Sequence, residues 1–335
     1  MTPLSDQQRL FMVETAQLYG AWREALSHVA HYKYGMRWVV SNGTDYLVRL
    51  SDAAGNGKSL GPRSPETEAI HAAFIEGKAR SKSRYSGLQA RLKEQARLNK
   101  AVRLGRMPTI VSGILRALDE TRARDDFRMV GTHALYAYEA LAGVQVGMAL
   151  LASGDVDFLY DPRKKLSIVA GNLDGYGLLG ILRKADKSFD LMASQTFRAV
   201  NDKGFMVDLI VPMQDMRRAP IQFSAGDMRA AEVPSLQWLV NAPVVETVII
   251  GMDGMPVRAR VPDPRAFAVH KAWLSQQPDR DPVKKPRDLG QSKLVLDILR
   301  EYLPQYPLDV AQMRYFPKAV LAREIPVDDR GPGTS

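Results

Sequence analysis

Apolar residues between positions 5 and 32 recur at Leu10, Val13, Leu18, Trp22 and Leu26, the near-helical spacing that predicts a first helix. Two apolar runs follow, Met36–Val40 and Tyr46–Leu50, on either side of Ser41-Asn42-Gly43-Thr44-Asp45. Asn-Gly between such runs predicts a β-hairpin. From Ala53 to Pro65 the chain is rich in Gly, Ser and Pro and reads as a loop. Ser64-Pro65-Glu66-Thr67-Glu68 resembles a helix start, with an early proline and acids in the first turn. That helix is expected to continue to a break near Pro108, and another to run from Thr109 to Arg122. From Phe127 strands and helices alternate as far as Pro262-Asp263-Pro264, after which the pattern is helical again to about Leu303. The tail from Val327 to Ser335 is polar and is expected to fray.

This texture predicts an α+β protein in which a small mixed β-sheet core is flanked by N-terminal and C-terminal helical regions. The expected divisions are 1–125 (mainly helical, with the hairpin), 126–262 (core), 263–325 (helical) and 326–335 (tail).

Three aspartates break the apolar pattern of the core. In Phe205-Met206-Val207-Asp208-Leu209-Ile210-Val211 both strand faces are apolar except at Asp208, as expected of a strand buried on both sides. A carboxylate there is costly unless a positive group meets it. The turn Asn201-Asp202-Lys203-Gly204 makes Thr196–Val200 and Phe205–Val211 a second hairpin. In Gly154-Asp155-Val156-Asp157-Phe158, strand alternation points Asp155 and Asp157 to one face. Their Cα atoms are then roughly 6.5–7 Å apart, a span that suits carboxylates bracketing two divalent ions about 3.5–4 Å apart. Ligands that are all oxygen favour Mg²⁺ or Mn²⁺.

The 335 residues include no cysteine, which excludes disulfides and thiolate metal sites. No apolar run is long enough for a membrane span and the first residues lack a signal pattern, so a cytoplasmic protein is expected. The net charge of +9 is concentrated. From Gly77 to Arg106 the chain carries Lys78, Arg80, Lys82, Arg84, Arg91, Lys93, Arg97, Lys100, Arg103 and Arg106 against Glu94 alone. A run of this kind is more often a solvated helix face, but it makes Arg84, Arg91, Lys93, Arg97 and Lys100 candidate contacts for a nucleic acid.

Val130-Gly131-Thr132 opening a helix, then the Asp155/Asp157 pair, then Asp208 on a later strand, together resemble the polymerase-beta-like nucleotidyltransferase superfamily. Three blocks are similar to a bacterial nucleotidyltransferase-fold family. They are Gly131–Glu139 with Gly154–Asp157, then Gly204–Pro212, then Pro262–Ser275 followed by Arg280 and Arg287–Gln291. The similarity spans about residues 125–303 and is weaker in Ser59–Pro65. Thr132 departs from the superfamily's usual second Gly or Ser, and the interval from Thr132 to Asp155 is longer than the minimal one.

The resemblance implies transfer of a nucleoside monophosphate from an NTP to an acceptor hydroxyl, with Asp155, Asp157 and Asp208 as catalytic metal ligands. Gly131, Thr132, Lys271 and Arg280 are then the nucleotide-binding candidates. The acceptor is open, with RNA or tRNA slightly ahead of a protein or small molecule and a toxin or defence role in view. The alternative is a non-catalytic module that binds nucleotide or nucleic acid in the same cleft.

Lys271 shares a helical stripe with Phe267 and Leu274, so it either enters the cleft or snorkels at its edge. Arg280, Lys284, Lys285 and Arg287 form a basic loop that binds phosphate or is merely solvated. His270 reads as a packing or hydrogen-bonding residue and His28 and His31 as surface or packing residues, while Tyr136 and Tyr138 either contact a base or, as helix residues more often do, simply pack. Gly55-Asn56-Gly57-Lys58-Ser59 is not a P-loop, because position 52, where glycine is required, is Asp52.

Overall fold

The computed structural model describes residues 1–164, 173, 177–213 and 220–325; the tail expected to fray from Val327 lies outside the described residues. Two units divide the chain, Leu10–Val102 and a second made of Met1–Arg9 with Arg103–Ser335. Among the described residues no helix is long and apolar enough to cross a membrane.

In the first unit the helix Pro65–Ala101 starts where its sequence directs. Ser64 is the N-cap, its Oγ accepting from the Thr67 amide while Thr67 Oγ1 accepts from the Ser64 amide at 2.8 Å. This reciprocal box, with Pro65 in the first turn, satisfies amides that would otherwise lack partners. Helix Asp6–His31 runs antiparallel to it. The pairs Thr15–Asn99, Trp22–Tyr85 and Tyr32–Phe74 set that direction. The predicted hairpin is present as Met36–Ser41 and Thr44–Leu50.

Two expectations are corrected here. The supposed loop from Ala53 to Pro65 contains a third strand, Gly57–Pro62, antiparallel to Thr44–Leu50. Its register depends on a missing side chain, since a Cβ on Gly57 would lie 2.4 Å from the Arg49 carbonyl oxygen. A strand of small and polar residues has no apolar alternation to betray it. The basic helix stops at Ala101, short of Pro108, where Arg103 takes a left-handed φ of 55°.

The second unit begins with helix Thr109–Asp119, shorter than the expected run to Arg122. Thr121 ends it by capping a new 3₁₀ turn, its Oγ1 accepting from the Ala123 amide at 3.1 Å. The central sheet is ordered Phe127–Val130, Asp155–Tyr160, Met206–Pro212, Gln195–Val200, Asp190–Met192, with Ala231–Val233 also paired to Met206–Pro212. Asp155–Tyr160 and Met206–Pro212 are parallel, as is Ala231–Val233 to the latter, while Phe127–Val130 and Gln195–Val200 pair antiparallel, giving the mixed sheet of an α+β core. Val156, Phe158, Val207 and Leu209 are buried on the face opposite the aspartates. Each such side chain contributes roughly 1.5–3 kcal/mol by leaving water.

The antiparallel pair Val244–Ile250 and Pro256–Pro262 leads directly into helix Pro264–Ser275. Asp263 caps that helix, accepting from the Arg265 amide at 2.8 Å, and is buried against the Arg265 guanidinium. Helix Lys285–Tyr302 packs on it, and the pair faces the aspartate side of the sheet across a cleft.

Candidate active site

Register across the sheet builds the site. Val130 pairs with Asp157, Asp157 with Asp208, and Asp208 with Arg198, so one row crosses four strands. Paired residues on adjacent strands share a face and stand about 4.8 Å apart, which sets Asp157 and Asp208 side by side. Asp155, two positions before Asp157, shares that face and accepts from Ser153 Oγ at 2.5 Å. Three carboxylates from two parallel strands therefore converge, as alternation alone predicted for the first two.

Gly131 closes the row. It has φ 67°, and a Cβ on it would lie 2.3 Å from Asp157 Oδ2. Its bare Cα is what lets the Asp157 carboxylate stand against the turn. Burial, and then the charges of Asp155 and Asp208, push the Asp157 carboxyl up to about 7, with Lys271 and Lys284 acting in the opposite direction. Asp208, 6% exposed, has both oxygens taken by Arg198, with Nε to Oδ1 at 2.7 Å and Nη2 to Oδ2 at 2.6 Å.

The row forms the floor of a cleft of about 340 Å³, within the usual range for small-ligand sites. Its walls differ at the two ends of the parallel strands. Beyond Asp208, Ile210 and its partner Ala231 continue the face, and Val233, Leu236 and Leu239 extend an apolar wall. Buried in that wall, Ser235 Oγ and His270 Nε2 share a hydrogen bond of 3.0 Å. Burial pushes the His270 imidazole down to about 3, so it is neutral.

At the Asp155 end the wall is cationic, with Lys271, Arg280, Lys284 and Arg287. Arg287 donates to the Ala152 carbonyl at 3.1 Å, which anchors it beside the start of the Asp155 strand. Asp288, fully buried, receives Lys271 Nζ on one oxygen at 2.6 Å and Arg280 Nε on the other at 2.7 Å. Burial alone would raise Asp288, but these two cations outweigh it and hold its carboxyl below the ordinary range. Gln291 ties the turn to the same helix, donating to Thr132 Oγ1 at 3.1 Å and to the Leu150 carbonyl at 2.8 Å. The Thr132 hydroxyl keeps its own hydrogen to donate.

A comparison with protein-family profiles matches residues 109–316, more than half of the chain, to a family described as nucleotidyltransferase. The chain belongs to that nucleotidyltransferase family. Comparisons with curated proteins and with solved structures match nothing. The nucleotidyltransferase match takes in the whole cleft, from Gly131 to Gln291, and begins after the basic helix Pro65–Ala101.

The cleft of this nucleotidyltransferase suits a hard divalent cation. Its donors are carboxylate oxygens, Gly131 leaves room for Asp157, and the elevated Asp157 carboxyl is one that added positive charge would ionise. Among the described residues, as placed, no three His, Cys, Asp or Glu side chains are grouped to hold one ion. Asp208 is instead turned to Arg198.

Of the residues singled out in the sequence, Gly131, Thr132, Asp155, Asp157, Asp208, Lys271 and Arg280 all line this cleft. Arg84, Arg91, Lys93, Arg97 and Lys100 are exposed on Pro65–Ala101 in the other unit, Arg84 paired with Glu24 at 2.9 Å. Tyr138 is buried and donates to the Pro262 carbonyl at 2.9 Å, a packing role; His28 and His31 are exposed. Sequence reasoning missed Arg198, Ser235, Asp288 and Gln291. Arg198 left a signal, since a hairpin already predicted brings it near a buried aspartate in need of a cation, and Asp288 and Gln291 fall in the Arg287–Gln291 block of the resemblance, though no role was read from them.

Proposed function

We propose that this nucleotidyltransferase moves a nucleoside monophosphate from an NTP to an acceptor hydroxyl by in-line attack assisted by Mg²⁺ or Mn²⁺, as a member of the polymerase-beta-like superfamily. The observation that carries this reading is the paired row Asp157–Asp208, with Asp155 on the same face, at the floor of a two-ended cleft. Asp155 and Asp157 are the residues that would hold the ions, with Asp208 joining on the acceptor side. Bound there, the ions would hold the triphosphate, help ionise the attacking hydroxyl and offset charge on the leaving pyrophosphate.

The remaining groups orient the substrate. Arg280, Lys284 and Arg287 meet the phosphates at the Asp155 end. Thr132 donates its hydroxyl, steadied by Gln291, to a phosphate oxygen, and the bare Gly131 admits the chain closely. The apolar wall from Ile210 to Leu239 takes the base and excludes water from it. Asp208 accepts the acceptor's proton, directly or through water.

RNA is the acceptor class we favour, because Arg91, Lys93, Arg97 and Lys100 are exposed basic side chains along the long helix, with Lys93, Arg97 and Lys100 on one side of it, suited to phosphate backbones. The test supplies each α-labelled NTP with Mg²⁺ and total cellular RNA or lysate. Label should pass to RNA and be lost in Asp155→Ala and Asp157→Ala. Tight nucleotide binding with no transfer to any component would replace the enzyme by a binding module, and label on protein or a small molecule would overturn the RNA assignment.

A further inference from the structure

We propose that a hollow between the two long helices of the first unit holds the 5′-terminal phosphate of an RNA strand. The inference takes its ligand from the RNA reading above and uses no residue of the cleft. Every residue of the hollow lies within Leu10–Val102, outside the span 109–316 that matches the family.

Two adjoining hollows of about 270 and 540 Å³ share His28, Tyr32 and Ser81, a size that suits a small polar ligand. Helix Asp6–His31 contributes His28 and His31, one turn apart, and helix Pro65–Ala101 contributes Arg80, Ser81 and Arg84. The side chains of His28, His31 and Ser81 and the Tyr32 hydroxyl make no hydrogen bond to another described residue. Arg80 is held loosely, 3.8 Å from Glu76 with both side chains 74% exposed. Arg84 commits one nitrogen, Nη2, to Glu24 at 2.9 Å. Among the described residues no carboxylate lines either hollow.

A guanidinium can only donate. Two of them beside two imidazoles and two hydroxyls, with no acid in the lining, make a site for an anion rather than a metal ion. The negative end of helix Asp6–His31 does not oppose it, because Arg49 donates to the carbonyls of His31 and, at 3.0 Å, of Gly35. A phosphate monoester has three free oxygens and up to two charges, and so uses this many donors; an internal phosphodiester, with two free oxygens and one charge, does not. The walls also suit the end of a strand. Tyr32 crosses to the long helix, its ring 5.1 Å from Phe74 and its hydroxyl lodged where Gly77 has no side chain, since a Cβ there would lie 2.3 Å from it. That crossing bounds the hollow on one side, so a strand entering it stops. In the other direction Arg91 continues the stripe of Arg84 seven residues on, about 10.5 Å along the helix, in position for the phosphates that follow. The reaction needs an acceptor hydroxyl, which a strand offers at its 3′ end, so the monoester it brings is the 5′ one.

The test measures fluorescence anisotropy of one single-stranded RNA, labelled at its 3′ end and carrying either a 5′ phosphate or a 5′ hydroxyl, with the full chain as wild type, R80Q, Y32F and K82Q. Thermal melts verify that each variant is folded. Wild type should bind the 5′-phosphate form about tenfold more tightly, the worth of one charge-assisted hydrogen bond. R80Q should cut that preference to about twofold or less. Y32F keeps the ring and its packing but not the hydroxyl, so a few-fold loss of preference there reports the hollow itself and decides the matter should R80Q fail to fold. K82Q removes a neighbouring charge outside the hollow, and should weaken both RNAs alike and leave the preference intact.

Equal binding of the two RNAs by wild type, or a preference that R80Q and Y32F leave unchanged, would overturn the assignment of this hollow and leave the RNA reading standing. Adenosine 5′-monophosphate displacing the 5′-phosphate RNA as well as unlabelled RNA does would replace the strand end by a small phosphate monoester. Failure of wild type to bind either RNA would overturn the hollow's ligand and the RNA reading together, without touching nucleotidyl transfer to another acceptor.

Discussion

Replacing Gly131 by alanine separates the backbone role of this residue from its role beside Asp157. Two costs follow from the geometry. At φ 67° an alanine sits in the left-handed region, which disfavours L-residues by about 1–2 kcal/mol. The added Cβ would also stand 2.3 Å from Asp157 Oδ2. Restoring an ordinary contact of roughly 3.4 Å moves that carboxylate by about 1 Å, and a shift of that size at a reacting centre costs about 10²-fold in rate.

Gly143 supplies the control. Its φ is 63°, almost the same, and nothing lies within 4 Å of a Cβ built there. Gly143→Ala should therefore lower Tm by about 2–8 °C for a unit of this size, and Gly131→Ala by at least as much. Only Gly131→Ala should lose Mn²⁺ affinity and about 10²-fold of label transfer. Equal transfer by the two folded variants would refute the placement of Asp157 against the turn.

Three further outcomes follow. Asp288→Ala leaves Lys271 and Arg280 facing each other without their shared carboxylate, and losing one member of a buried pair costs about 3–5 kcal/mol; a urea midpoint equal to wild type would contradict it. His270 is held neutral by burial, with its folded value down at about 3 against an ordinary 6.5; Lys271 and Arg280 push the same way and Asp288 opposes them. Its contribution to stability is thus whole above pH 6.5 and declines as the pH falls towards 3. At pH 4.5 the loss relative to high pH reaches about 2.7 kcal/mol, and His270→Gln should flatten that part of the pH profile of urea midpoints. Changing Arg91, Lys93, Arg97 and Lys100 to Gln should weaken RNA binding and reduce the slope of log affinity against log salt by about 1–3; an identical slope would mean that this helix face is simply solvated.

Much of the local structure was legible in the sequence because its signals are local. Asn42-Gly43 marked one hairpin and Asn201–Gly204 the other, and alternation alone put Asp155 and Asp157 on one face. The Ser64-Pro65 helix start was equally readable. What escaped depends on partners remote in the chain. Asp288 follows Arg287 on a charged helix start and looks solvent-facing, yet it is buried because Lys271 and Arg280 come to it from another element. Gln291 has no meaning until the Leu150 and Thr132 segments meet it. Ser235 adopts φ 68° with no glycine or asparagine to announce a left-handed residue. Strand Gly57–Pro62 went unseen because close backbone approach, rather than apolar burial, defines it.

The row Val130–Asp157–Asp208–Arg198 has a further consequence for how activity is acquired. Asp157 and Asp208 meet on parallel strands separated by about fifty residues of chain, and the cationic wall comes from positions beyond 270. Contacts between such distant segments are late events in folding, since the loop entropy must be overcome first. A chain emerging from the ribosome would carry all three acids long before it could use them. Catalytic competence should therefore appear abruptly, together with the last tertiary structure of the unit, and a fragment ending before helix Pro264–Ser275 should neither bind nucleotide nor transfer it.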